Sequence, residues 1–261
     1  MARLPADPSH GAAWVTGASS GIGRAIVLEL VRRGWRVGAT ARSADSLNSL
    51  AAEAPGSIVA APADVSNEAQ MRGAAADIET AFGPIGLVIA CAGVYLPVNA
   101  ETPDLSAFRK TWDVNLMGAA HAWAIVAPSM VARRQGHIHL VSSATGFGGM
   151  PTASAYGASK AALINMAECL RIELDRYDVG VSVSTPGFVD TPAQSDTPFP
   201  KPFMVSPERA ARDIVEGAMR GRFETTFPRR FTWMLKLIYA LPKEIYIPLV
   251  RKQTGWAKPK S

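Results

Sequence analysis

Cysteine is almost absent from this chain of 261 residues, which contains only Cys91 and Cys169. Two cysteines cannot build the disulfide framework of a small secreted domain, and neither lies near other zinc-binding residue types. Both sit in apolar stretches, so we expect buried, reduced thiols. Histidine is also scarce, and its positions show no ligand spacing with carboxylates or cysteines. The four histidines are His10, His121, His137 and His139. We predict structural roles for them and no metal site.

Long apolar runs are missing as well. No window offers eighteen uninterrupted apolar residues, and the first eleven residues, MARLPADPSHG, have no apolar core of signal-peptide length. We therefore expect a cytoplasmic protein. Charged residues make up 19% and hydrophobic residues 48% of the chain, a composition that favours a folded core over disorder.

Acidic charge is sparse towards the C-terminus. Residues 198–261 contain thirteen Lys and Arg against five Asp and Glu, although the whole chain carries only +5. Such a segment suits an anionic membrane surface or nucleic acid, or simply improves solubility. Its aromatic residues lie among long aliphatic ones and are not spaced as stacking platforms, so we predict no nucleic-acid partner.

Short apolar runs alternate with longer segments of helical period. The runs predict strands at residues 12–15, 36–40, 57–61, 87–90, 137–141 and 180–184, with helices beginning near Gly21, Ala44, Asn67, Asp104 and Ala155. Residues 104–134 are typical of one long helix that Pro128 kinks or brings to its final turns. The Ser206-Pro207-Glu208 sequence predicts a further helix start. This alternation indicates an α/β protein with a doubly wound parallel sheet in three layers.

We expect one domain over residues 1–261, in which residues 192–261 form a substrate flap and a C-terminal extension. Five prolines between residues 186 and 202 favour a loop that closes over the substrate. The aromatic and aliphatic residues that follow predict an apolar pocket wall. These wall residues are Phe188, Phe199, Phe203 and Met204.

A glycine-rich turn joins the first strand to the first helix. It reads TGASSGIG at residues 16–23, and the residues expected to hold a dinucleotide are Gly17, Ser19, Ser20, Gly21, Ile22 and Gly23. Glycine lets the backbone approach a pyrophosphate closely, and the helix N-terminus offers unpaired amides and a positive dipole end. The strand before it and the helix after it are the context that such a site requires.

The end of the second strand distinguishes NAD from NADP. An acid there binds the ribose 2′-hydroxyl, whereas an arginine accommodates a 2′-phosphate. This chain has Arg42 and Ser43 at that turn and no acid. We therefore predict that NADP(H) is preferred, with NAD(H) as the alternative.

Tyr156 and Lys160 are four residues apart, which places them on one face of a helix. A nearby ammonium favours the phenolate and lowers the pKa of a tyrosine. A tyrosine with such a pKa can exchange a proton with a substrate oxygen near neutral pH.

These motifs together resemble the short-chain dehydrogenase/reductase family, in its branch of about this length, over residues 12–191. Ser143 lies thirteen residues before Tyr156, as the family's substrate-orienting serine does. Asn115 in Asp-Val-Asn matches the asparagine that anchors a proton-relay water. The remaining matches are Asp64 and Val65 at the adenine, Ala92 and Gly93 beside the cofactor, and Pro186, Gly187, Val189 and Thr191 along the nicotinamide.

The resemblance implies a nicotinamide-dependent oxidoreductase that interconverts a ketone and a secondary alcohol as a homodimer or homotetramer. Tyr156 would be the general acid or base, Lys160 would lower its pKa and bind the ribose, and Ser143 would hold the carbonyl oxygen. An NAD(P)-binding regulatory or membrane-associated protein without turnover is the alternative. Two departures stand out. Ala90-Cys91-Ala92-Gly93 replaces the family's Asn-Asn-Ala-Gly, which removes an interstrand hydrogen bond, and Ser20 stands where NADP-preferring relatives often have a basic residue.

Three interpretations of residues 231–250 remain open. The stretch forms two short helices at the pocket or an oligomer interface, or an amphipathic segment that meets anionic lipid, or ordinary core. Lys and Pro residues interrupt it, so it cannot comfortably span a bilayer. The lipid interpretation implies peripheral contact with the inner face of a membrane and a long-chain or apolar ketone substrate.

Overall fold

A parallel sheet forms the centre of the computed structural model, which describes residues 4–191 and 201–256. Its strands are Ala12–Thr16 (β1), Val37–Thr40 (β2), Ile58–Ala60 (β3), Ile85–Ala90 (β4), Gly136–Val141 (β5), Val179–Pro186 (β6) and Glu224–Phe227 (β7). All seven are parallel, in the order β3-β2-β1-β4-β5-β6-β7. The predicted strands are confirmed within two residues at each end.

Helices cover both faces of the sheet. Within the described ranges they are Gly21–Arg32 (α1), Ala44–Ala52 (α2), Glu68–Phe82 (α3), Leu105–Trp112 (α4), Gly118–Arg133 (α5), Ser154–Leu174 (α6), Pro207–Met219 (α7), Arg229–Tyr239 (α8) and Lys243–Gln253 (α9). Helices α3, α5 and α6 share one hydrophobic core with the sheet, while α1, α2 and α7 share the other. Successive strand residues point to opposite faces, so Trp14 packs in the first core and Val15 in the second. The predicted doubly wound, three-layer α/β fold is confirmed, and it is of the Rossmann type.

The seventh strand was not predicted from the sequence. Glu224–Phe227 lies at the sheet edge and alternates half-buried with buried residues. Its Glu-Thr-Thr-Phe sequence carries a single large apolar side chain, so the alternation of apolar and polar residues is too weak to predict a strand there. The predicted helix starts, in contrast, lie within one residue of the observed ones. Ser206 caps α7 by accepting a hydrogen bond from the Arg209 amide, with Pro207 in the first turn, as the sequence indicates.

One long helical segment runs from Leu105 to Arg133 through a π-helical turn at Asp113–Met117. By length and apolar composition alone it is the one helix in the described part of the chain that could cross a membrane. Its inward face nevertheless packs in the sheet core through Ala122, Val126 and Met130. Pro128 lies in its final turns, as predicted.

Candidate active site

A cleft of about 880 Å³ opens at the carboxyl ends of β1 and β4. The chain order reverses between these two strands, because β2 and β3 lie on one side of β1 and the later strands on the other. Such a reversal creates the crevice where ligands bind in open α/β sheets. The residues predicted for cofactor binding and catalysis line this cleft with the exception of Asn115. They are Gly17, Ser19, Ser20, Gly21, Ile22, Gly23, Arg42, Asp64, Val65, Ala92, Gly93, Ser143, Tyr156, Lys160, Pro186, Gly187, Val189 and Thr191.

The glycine-rich turn requires glycine at several positions. Gly17 has a φ of 71°, and a Cβ there would lie 2.8 Å from Ala92 Cα. A Cβ on Gly23 would lie 2.1 Å from the Gly17 carbonyl oxygen. Any side chain at either position would push the first turn of α1 away from the strand ends, so both glycines keep the helix N-terminus at the cleft.

The first turn of α1 is open to an anion. Its N-cap residue, Ser20, makes no side-chain capping hydrogen bond. The N-caps of α2, α3 and α4, namely Ser43, Asn67 and Asp104, each accept hydrogen bonds from the amides of their helices. The α1 amides that face the cleft thus lack the side-chain acceptor that the other helices supply, which fits a pyrophosphate at this position.

Three cationic side chains line the cleft at the end where an adenosine would lie. Arg42 follows β2, and Arg109 and Lys110 come from α4. The pKa of Asp64 is held below its usual value by hydrogen bonds from Ser66, with smaller contributions from the charges of Arg42 and Lys110. Arg42 was predicted from the sequence, whereas Arg109 and Lys110 were not. Helical spacing could have revealed them, because Lys110 lies four residues before the cleft residue Val114 and therefore on the same face of the helical segment.

Ser43 has less freedom to bind a phosphate than the sequence suggested. Its hydroxyl caps α2 by accepting from the Ser46 amide at 3.3 Å, and it shares a second hydrogen bond with the Ser46 hydroxyl. Arg42 is exposed at the mouth of the cleft, where its guanidinium can meet an incoming anion.

Ser143 has its hydroxyl oriented by Thr145. The Thr145 amide donates to Ser143 Oγ at 3.2 Å and the Thr145 hydroxyl donates to it at 2.9 Å. Because both contacts use acceptor lone pairs, the Ser143 proton is left to point elsewhere. Tyr156 is the neighbour in that direction, and a hydrogen bond from Ser143 lowers its pKa.

Tyr156 and Lys160 project from the first two turns of α6 into a buried site. Burial is the larger influence on Tyr156 and raises its pKa above the ordinary value. Burial also lowers the pKa of Lys160 to about 8. Lys160 Nζ lies 5.6 Å from the centroid of the Tyr156 ring and donates to the Val141 carbonyl oxygen at 2.8 Å. Burial thus dominates the pKa of Tyr156, the hydrogen bond from Ser143 opposes it, and the expected lowering by Lys160 is not among its causes.

Asn115 lies behind the cleft, inside the π-helical turn, and is only 1% exposed. Its Oδ1 accepts from the Val94 amide at 2.7 Å, and its Nδ2 donates to the Val94 carbonyl and to Ser159 Oγ. A Cβ on Gly93 would lie 3.4 Å from Asn115 Oδ1 and 3.5 Å from Lys160 Nζ. Glycine thus keeps the space between the amide and the ammonium open, and π turns are frequent at functional sites.

Thr16 provides the interstrand link that the missing asparagine would have supplied. Its Oγ1 accepts from the amides of Cys91 and Ala92 at 3.1 and 3.2 Å. This hydroxyl joins the carboxyl ends of β1 and β4 at the floor of the cleft. Burial raises the pKa of the Cys91 thiol to about 11, so it remains a neutral thiol.

The substrate end of the cleft is built differently from the prediction. Tyr95, which was not predicted from the sequence, lines the cleft and meets the Tyr156 ring edge-on at 5.3 Å between ring centroids. Phe203 and Met204 are exposed and lie outside the cleft lining, because Phe203 packs on Phe231 of α8. Phe188 packs on the same ring. Phe199 and the predicted flap residues 192–200 lie outside the described residues.

The positions of the cysteines and histidines bear on the predictions of buried thiols and of no metal site. Cys169 is exposed on α6, so the prediction that it is buried was wrong. It occupies the solvent side of an otherwise apolar stretch. Within residues 4–191 and 201–256, no group of three or more His, Cys, Asp and Glu is arranged to hold a metal ion. His137 and His139 are fully buried in β5.

The family model of the short chain dehydrogenases matches residues 11–199. An uncharacterized oxidoreductase of Myxococcus xanthus (strain DK1622) is 36% identical over 255 residues, covering 95% of this chain and 99% of that protein. The 3-ketodihydrosphingosine reductase of Bos taurus is 30% identical over 230 residues, covering 81% and 69%. A solved alcohol dehydrogenase from the archaeon Thermococcus sibiricus, complexed with 5-hydroxy-NADP, has a TM-score of 0.75 at 26% identity, covering 83% and 95%. The chain belongs to the short-chain dehydrogenase family, and it is an oxidoreductase that acts on alcohol and carbonyl groups with a nicotinamide cofactor.

Proposed function

We propose that this protein is an NADP(H)-dependent reductase of an apolar, long-chain ketone, with Tyr156, Lys160, Ser143 and Asn115 as its functional residues. The observation that carries the proposal is the shared cleft. The hydroxyls of Ser143 and Tyr156 meet beside Lys160, in one crevice with an open α1 N-terminus. A proton donor and a dinucleotide site therefore border the same space.

The cofactor choice rests on Arg42. A 2′-phosphate needs a cation at the end of β2, and the planar guanidinium can bind it with two parallel hydrogen bonds. The glycine-rich turn and the α1 amides would hold the pyrophosphate, Asp64 and Val65 the adenine, and the segment from Pro186 to Thr191 the nicotinamide. When bound, NADPH supplies the hydride.

The proton chemistry follows from the protonation states of the side chains. Tyr156 keeps its proton at neutral pH because its pKa is raised, so it can donate that proton to the oxygen of a ketone as negative charge develops there. Thr145 directs the Ser143 proton away from itself and towards Tyr156, so a ketone oxygen that takes the Tyr156 proton would lie within reach of the Ser143 hydroxyl as well. Both donors stabilise the transition state more than the neutral ketone.

Lys160 serves to restore the Tyr156 proton. Its pKa of about 8 is close enough to neutrality for the ammonium to give up a proton and regain one. A water between Lys160 Nζ and Asn115 would connect the site to solvent, and Gly93 keeps that position free of a side chain. Asn115 holds the Val94 backbone, so it also positions the loop that carries Tyr95.

An apolar substrate is supported by the aromatic residues at the nicotinamide end. Phe231 of α8 and Phe188 do not line the cleft themselves, but Phe231 lies directly behind the lining residue Gly187 and packs on Phe188. The ring of Tyr95 adds an apolar edge beside Tyr156. A relative named as a 3-ketodihydrosphingosine reductase, and thus for reducing the ketone of a long-chain base, is consistent with this wall.

We also propose that the chain folds as one domain, forms a homodimer or homotetramer and works in the cytoplasm with peripheral contact to the membrane. Exposed Leu105 on α4 and Met117 in the π turn support the oligomer. The basic charge of residues 198–261 supports the membrane contact.

The test is a screen of NADPH and NADH oxidation with ketones of increasing chain length. We expect NADPH to be preferred and kcat/KM to rise with chain length. Tyr156→Phe should lower kcat by about 10²–10⁴-fold, the usual contribution of a general acid. Tyr177→Phe is the matched control, because Tyr177 is half-buried outside the cleft. Full turnover by Tyr156→Phe would overturn the mechanism, and no turnover of any ketone by the wild type would favour a binding role.

A further inference from the structure

Helices α8 and α9 present large apolar side chains to solvent. We call Trp233, Met234, Leu237, Ile245 and Ile247 the α8–α9 outer face, and each of them is between 46% and 70% exposed. Three of them lie on α8 at positions i, i+1 and i+4, which is one side of that helix. Soluble chains rarely cluster so much apolar surface without a partner.

The folding of the two helices does not need this outer face. Their opposite sides already pack on the body of the protein through Phe231, Tyr239 and Tyr246. Tyr239 contacts Phe147 at 6.3 Å between ring centroids, and the Tyr246 hydroxyl donates to the Gly149 carbonyl. The apolar residues that face outward are therefore available for a second function.

The two helices that carry the outer face are rich in positive charge. From residue 229 to residue 252 the chain carries six cationic residues and one acidic residue, Glu244. The cationic residues are Arg229, Arg230, Lys236, Lys243, Arg251 and Lys252. The Lys236 ammonium lies 5.1 Å from the Trp233 ring and also pairs with Glu224 of β7. Apolar residues among cations on a short helix are typical of segments that lie in a membrane interface.

Length excludes a membrane-spanning role for these two helices. Each contains eleven residues and is about 16 Å long, whereas a bilayer core requires about twenty residues. The tryptophan also fits the interface, where its ring lies at the level of the lipid headgroups.

We infer that the α8–α9 outer face docks on the surface of an anionic phospholipid membrane and that an apolar ketone enters the cleft from there. The inner side of α8 connects the two places. Phe231 contacts Phe188, and a Cβ on the cleft residue Gly187 would lie 3.1 Å from the Phe231 ring. Docking through α8 would therefore place the substrate end of the cleft next to the lipid surface. The part of this inference that concerns substrate entry rests on the proposed ketone reduction.

A second copy of the chain fits the outer face less well than a membrane does. In a two-fold symmetric contact the same patch lies on both subunits, so its exposed Arg and Lys side chains would meet those of the second copy. Such an arrangement is unfavourable because like charges across an interface repel. Anionic headgroups neutralise them instead.

The test is co-sedimentation of the full chain with vesicles of phosphatidylcholine, alone or with about 30% phosphatidylglycerol. We expect binding to the anionic vesicles at about 0.05 M salt and loss of most binding at about 0.5 M salt. Leu237→Ser should weaken the partition about tenfold. Ile172→Ser on α6 is the matched control, because both side chains are 70% exposed, and it should leave binding unchanged.

A second readout separates docking from catalysis. With a long-chain ketone held in anionic vesicles, Leu237→Ser should lower kcat/KM, while turnover of a soluble short ketone stays at the wild-type rate. Absence of vesicle binding by the wild type, or equal loss in both serine variants, overturns the docking. A wild type that ignores vesicles but forms an oligomer that Leu237→Ser dissociates would assign the face to a second copy. If the protein binds vesicles through Leu237 but reduces no ketone, the membrane docking is supported and the proposed ketone reduction is overturned.

Discussion

Lys160 Nζ donates a hydrogen bond to the carbonyl oxygen of Val141, the last residue of β5, at 2.8 Å. The contact fixes the ammonium on the strand that leads into Ser143, so the proton donors of α6 and the loop after β5 are held together. It also satisfies one donor of a buried charge that would otherwise be costly. Desolvation still dominates and lowers the pKa of Lys160 to about 8.

This pKa predicts an alkaline limit for ketone reduction. The ammonium loses its proton as pH rises through about 8, while Tyr156 stays protonated because its own pKa is raised. We expect kcat/KM to fall about tenfold per pH unit above that value. The measurement is a profile from about pH 6 to pH 10 with a soluble ketone. Lys160→Arg stays charged but cannot pass on a proton, so it should lower turnover at every pH and show no limit near pH 8 in the activity that remains. An unchanged limit in that variant would assign it to another group.

Thr145 is predicted to control the rate through Ser143. Thr145→Val removes the 2.9 Å hydrogen bond from the threonine hydroxyl while the backbone amide still donates. The Ser143 hydroxyl is then free to rotate away from the substrate oxygen. We expect kcat to fall about fivefold, which corresponds to about 1 kcal/mol for one hydrogen bond. Thr145→Ser keeps the donor and should restore most of the rate, whereas an equal loss in both variants would point to a packing effect.

Thr16 is predicted to contribute to stability more than to binding. Thr16→Val has nearly the same shape but leaves the amides of Cys91 and Ala92 without their acceptor. Two part-buried donors without an acceptor should lower the free energy of unfolding by about 1–3 kcal/mol. Urea denaturation measures the loss, and Thr16→Ser should show little of it. Full stability of the valine variant would mean that another acceptor replaces the hydroxyl.

Arg42 is predicted to set the preference for NADPH. Arg42→Ala removes a charged hydrogen-bond donor from the 2′-phosphate, so the ratio of kcat/KM for NADPH over NADH should fall by about 10–100-fold. Arg24→Ala is the control, since Arg24 pairs with Glu53 outside the cleft lining. An unchanged ratio would contradict this role and would assign 2′-phosphate binding to Arg109 or Lys110, which line the same end of the cleft.

The sequence predicted those features of the fold and the site that depend on patterns over a few neighbouring residues. The alternation of apolar strands with helices, the glycine turn and the Tyr156–Lys160 spacing are local patterns, and they led to the fold and the family. The Lys160–Val141 contact, the Thr145–Ser143 pair and the Thr16 acceptor are not local in that sense. Each depends on side-chain orientation or on the register of strands far apart in the chain. The exposure of Cys169 and Phe203 was missed for the same reason.

His137 and His139 bracket the Ser182 hydroxyl, at 2.6 and 2.7 Å, in the buried layer between β5 and β6. His137 Nδ1 donates to the Leu4 carbonyl, so its Nε2 must accept from Ser182, and Ser182 in turn accepts from His139 Nδ1. His139 Nε2 is then a bare acceptor, and it has no partner in the described part of the chain. Burial lowers the pKa values to about 4 and about 3, so both rings are neutral in the folded protein.

Stability should therefore fall as the solution is acidified from about pH 6.5 towards pH 4.5. The unfolded chain binds protons at both histidines in this window and the folded chain does not, which lowers the free energy of unfolding by up to about 1.4 kcal/mol per pH unit for each ring. Asp64 and Asp104, whose pKa values are lowered from 3.8, titrate below this range. Urea denaturation at several pH values measures the slope. His139→Asn keeps a donor towards Ser182 but cannot titrate, so the slope should fall by about half. The same slope in wild type and variant would mean that His139 is not the group that loses its proton on folding.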